Sequence, residues 1–182
     1  SDPDDLELML ESLKTIQTEL SHILVNDRIK GDAKIESWDF IEGKVNIFIA
    51  SHAAMELIGS ISSAAVLVCR KMREGRFIYQ YVQTLKVKDE SLLDINSGHD
   101  QAIQNLIDER AATVLQEHFD GEKSDELHNR LKSAITLFAE LLDNGTEIHP
   151  ASNAPEKVRR LFPNLNKLTG TPSQIKLISE AA

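Results

Sequence analysis

The sequence predicts a helix-dominated α+β fold, on three observations. Apolar residues recur at heptad spacing from Leu6 to Ile23. A run rich in β-branched and aromatic residues follows and is split by Glu42-Gly43. Beyond it lies a segment that is apolar on nearly every side of a helix. The expected order is an N-terminal helix, a β-hairpin with room for a third strand packed on a central apolar helix, an antiparallel helix pair and a C-terminal arm. Residues 1–145 are expected to form one globular domain. Residues 146–182 form an arm with short helices, docked on a surface.

The first helix opens on Asp2, a good N-cap, and Pro3, which suits the first helical position. Asp4 and Asp5 complement the positive end of its dipole. Leu6, Met9, Leu13, Ile16 and Leu20 form a stripe that faces either the chain's own core or a partner. The hairpin is read from Lys34–Ile41 and Lys44–Ala50. Val45, Ile47 and Ile49 alternate on one strand, and Trp38 and Phe40 on the other.

Ser51 caps the central helix, which is expected to run to Met72 and to stop at Gly75. Its most apolar part, Ala53–Cys69, carries Glu56 and falls short of a membrane span, so no membrane insertion is expected. Phe77, Tyr79, Tyr81, Leu85 and Val87 fit a period of two, which predicts a strand over 77–88 and a loop over 89–98. Two amphipathic helices come next. Asp120-Gly121 separates them, Ser124 caps the second, and Asn144-Gly145 ends it. In the arm, Pro155 starts a short helix carrying Val158, Leu161 and Phe162, and Pro163 stops it.

Composition bounds the function. Hydrophobic residues make up 41% of the chain and charged residues 27%, a globular balance rather than a disordered one. The net charge of −9 argues against general nucleic-acid binding, because phosphate attracts clustered Lys and Arg. A single cysteine, Cys69, excludes an internal disulfide. With no signal-peptide pattern at the acidic start, it points to the reducing cytoplasm.

No glycine-rich phosphate loop, dinucleotide fingerprint, CxxC or nucleophile elbow is present, so no cofactor and no metal are expected. The weak catalytic candidates are His52 with Glu56, four apart at a helix start, and Glu147 with His149, alternating in the arm. His99 and His118 read as helix-terminus residues. Arg70, Arg73 and Arg76, followed by Tyr79 and Tyr81, are candidate anion contacts, against a plainer reading as compensation of a helix C-terminus.

Three functions are compatible with this pattern. The leading one is a non-catalytic interaction or assembly module, forming a homo-oligomer, with a dimer favoured, or binding another protein. It self-associates through Leu6, Met9, Leu13, Ile16, Leu20, Leu161 and Phe162. The second is an enzyme or small-ligand-binding protein with a composite His/Glu site. The third is an acidic inhibitor of a nucleic-acid-handling protein, for which the net charge is the sole support.

Overall fold

The computed structural model describes the backbone of residues 3–24, 29, 33–39, 44–49 and 51–164. Side chains are described at Glu7, Glu11, 14–24, 29 and 51–164. Among the described residues five helices run in chain order: α1 (Pro3–Leu24), α2 (His52–Thr84), α3 (Asp89–Phe119), α4 (Asp125–Asp143) and the short α5 (Glu156–Arg159).

The core is an α-helical bundle, which corrects the expected α+β class. Helices α2, α3 and α4 pack on one another, and α1 lies along α4. The core cluster comes from these helices throughout, save for Ile29. A sheet layer beneath the central helix is not supported, because helices already cover it. Residues 33–39 and 44–49 pair antiparallel at the level of the backbone. Their side chains, Trp38 and the Val45, Ile47, Ile49 series among them, lie outside the described residues, as does Phe40.

Local chemistry explains where the helices begin and end. The Ser51 side chain accepts from the Ala54 N–H at 3.1 Å, and Ser124 accepts from the Leu127 N–H at 3.2 Å. Each satisfies one of the donors that a helix start leaves without an intrahelical partner. Asp120 takes a left-handed conformation (φ 52°) and Gly121 another (φ 67°), which turns the chain from α3 into α4. Gly145 ends α4 in the same way (φ 91°).

Helix α2 overturns three further expectations. It does not stop at Gly75 but runs for 33 residues to Thr84. The stretch expected as a strand, 77–88, is therefore its last two turns and the short link to α3. The stretch expected as a loop, 89–98, is the start of α3. A glycine inside a helix costs about 1 kcal/mol relative to alanine. At Gly75 that cost is met by packing. An added Cβ would lie 1.8 Å from His99 Nε2, so glycine leaves the space in which the His99 ring sits. His99 donates from Nε2 to the Lys71 carbonyl at 2.8 Å.

By length and hydropathy, α2 passes the test for a membrane span, with mean hydropathy 1.5 over its most apolar window. Yet 67% of that window is buried against the chain's own helices, the position of a core helix.

Burial is uneven along the two longest helices. In α2 the run of buried residues ends at Cys69, with Gly75 buried beyond it. In α3 the buried residues are Ile107, Ala111, Val114 and Phe119, all in its C-terminal half. Met72, Ile103 and Leu106 still pack against the core, and beyond Gly75 and before His99 the two helices continue past it as an antiparallel helical hairpin.

Candidate functional site

The sequence-predicted residues do not assemble one composite site. His52 is exposed at the first position of α2. Glu56 pairs with Lys157 Nζ at 3.0 Å. Glu147 and His149 pair with each other at 2.8 Å on the surface. Among the described residues, no three His, Cys, Asp or Glu side chains gather closely enough to hold a metal ion.

Of the candidate arginines, Arg70 is exposed, and Arg73 and Arg76 are engaged. Arg76 makes a bidentate pair with the Asp143 carboxylate, both contacts at 2.6 Å. Arg73 donates from Nε to Asp143 Oδ1 at 3.1 Å and from Nη2 to the Leu142 carbonyl at 3.1 Å. These cations compensate the C-terminus of α4, not that of α2, and they neutralise a carboxylate rather than await a ligand. Hydrogen bonds from Arg76 above all, and from Arg73, hold the Asp143 carboxyl below its ordinary range against the opposing effect of burial. Cys69 nearby is fully buried, and burial pushes its thiol up, which makes it a core residue and not a nucleophile.

One Ser–His pair does form. His118 Nε2 lies 2.8 Å from Ser60 Oγ, where α3 crosses α2. The ring thus answers a buried hydroxyl from the last turn of α3, so it is the helix-terminus residue expected and has a partner on α2 as well. His99, by contrast, sits well inside α3 and not at its start. Burial lowers the His118 pKa, and Glu117 and Glu56 oppose that shift. A neutral imidazole accepts the Ser60 proton, as in a nucleophile–base pair. Ser60, however, is 8% exposed within α2, and neither cleft described below reaches it. The pair ties two helices together.

The interface candidates divide. Ile16 and Leu20 are buried in the chain's own core, so they offer no outer surface. Leu6, Met9 and Leu13 have side chains outside the described residues. Leu161 and Phe162 pack on α2 of the same chain: a Cβ at Gly59 would lie 2.9 Å from Leu161 Cβ and 3.1 Å from the Phe162 ring. Ser63 Oγ donates to the Leu161 carbonyl. With Val158 buried and Lys157 on Glu56, this part of the arm is docked in cis.

What remains open is a surface the sequence reading did not find. Among the described residues eight large apolar side chains are exposed, and all but Leu67 lie on the α2–α3 hairpin or its link: Phe77, Ile78, Tyr81, Leu85, Val87, Leu93 and Ile95. Tyr81 is 59% exposed, Leu85 58% and Leu93 68%. At helical periodicity Phe77, Ile78 and Tyr81 on α2, with Leu85 as its cap, fall within a sector of about 100°. Between the two helices is a groove of about 260 Å³ lined by Gly75, Ile78, Ile95 and His99 among others. A wider cleft of about 540 Å³ lies between α1, α3 and α4. Most of its lining residues are of polar type, and its Lys132 is engaged by Asp108 at 2.6 Å.

The signal for the hairpin surface was present in the sequence. Phe77, Tyr81 and Leu85 repeat every four residues, but the same segment also fits a period of two.

No family model matches this chain, and no solved structure does. It is similar to YqaP of Bacillus subtilis (strain 168), a protein described as uncharacterized, with 24% identity over 179 residues. That similarity takes in 94% of this chain and 57% of the relative, so the chain spans little more than half of the relative's length.

Proposed function

We propose that this chain is a non-catalytic assembly module that self-associates through its apolar helical surface. The observation that carries the reading is the band of exposed large apolar side chains on the α2–α3 hairpin. Soluble monomers rarely expose contiguous apolar patches beyond a few hundred Å². Phe77, Ile78 and Tyr81, with Leu85 at the helix end, share one sector and bring on the order of 300 Å². The contact surface we favour is the hairpin, since Ile16, Leu20 and Phe162 pack within the chain, while Leu6, Met9 and Leu13 have side chains outside the described residues. A reducing, cytoplasmic setting suits the lone buried Cys69.

The test is mass in solution by size-exclusion chromatography with light scattering. A dimer at micromolar concentration is expected. A monomer that stays monomeric through that range overturns the proposal.

A further inference from the structure

We draw no further inference here: the strongest candidate, the exposed apolar face of the α2–α3 hairpin around Tyr81, is the surface on which the proposed function already rests, and nothing in the structure shows what covers it.

Discussion

Replacing Asp143 with Asn tests how the bundle holds α2 to the end of α4. Asp143 is the last residue of α4, where the helix dipole disfavours a negative charge. It is kept there by two guanidinium groups, and its side chain is only 13% exposed. The two contacts differ in worth. Arg76 is 55% exposed, so its bidentate pair is screened and contributes about 0.5 kcal/mol. Arg73 is 26% exposed and also satisfies the Leu142 carbonyl, so its share is about 1 kcal/mol. Asparagine keeps the shape, loses the charge and gains a few tenths of a kcal/mol from the dipole. The net loss is about 1 kcal/mol, or a fall in Tm of about 2–4 °C for a chain of this size. The sign with pH follows from the direction of the shift. The folded carboxyl titrates below its ordinary value of about 3.9. Its stabilisation is therefore complete above that value and is lost as pH falls through the lower, folded one. Thermal melts followed by circular dichroism should show a constant gap between parent and Asp143→Asn from neutral pH down to about pH 5. The gap should close in stronger acid. A gap that is unchanged or wider in acid refutes the reasoning, because the charge would then not be what is lost. Arg73→Ala should cost more than Arg76→Ala, and the reverse order would place the main contact on the wrong arginine.

Gly59→Ala puts a methyl 2.9 Å from Leu161 Cβ and should loosen the arm, so trypsin should cut after Arg159 and Arg160 faster than in the parent. Unchanged cleavage would mean that the arm is held elsewhere. At Gly75 an added methyl meets the His99 ring. Gly75→Ala should therefore stabilise by about 1 kcal/mol only in a His99→Ala background. In the parent the lost bond to the Lys71 carbonyl offsets that gain, and equal effects in both backgrounds would disprove the contact. His118 has a lowered pKa through burial, so its share of stability is present above about pH 6.5 and lost as pH falls through the folded value. Denaturant titrations across that range should show a steeper acid loss for the parent than for His118→Gln, and parallel curves would refute this.

Elements set by nearby residues were legible in the sequence. The caps at Ser51 and Ser124 are short-range hydrogen bonds, and the Asp120-Gly121 break is a local backbone preference. The buried face of α4, from Leu127 to Leu142, follows from a period that no other structure fits. The segment 77–88 was misread because Phe77, Tyr79 and Tyr81 satisfy a strand period and a helix period at once. The deciding fact is not local. A long helix already formed before Gly75 adds residues at little cost, whereas a new strand needs a neighbour. The arginine cluster failed for a similar reason. Nothing near Arg73 and Arg76 in sequence names Asp143, which lies 70 and 67 positions away. Ser60 and His118, 58 apart, are equally silent.

The two halves of α2 explain why an exposed apolar surface stands on a well-packed bundle. From Ala54 to Cys69 the helix has α3 and α4 for neighbours and is buried on several sides. Helix α4 ends at Asp143, where Arg73 and Arg76 take hold of it. Beyond that level α2 keeps one neighbour, α3, yet its sequence does not become polar. A two-helix pair covers one stripe of each member, and the residues at the edge of that stripe, Ile78 and Ile95, are left half covered. Phe77, Tyr81 and Leu85, further round, are left open. An open apolar stripe of this kind is the surface on which the proposed self-association rests. The close seat of His99 on Gly75 keeps the hairpin aligned with the bundle. The open face is thereby presented in one orientation, which lowers the ordering cost of any contact made there.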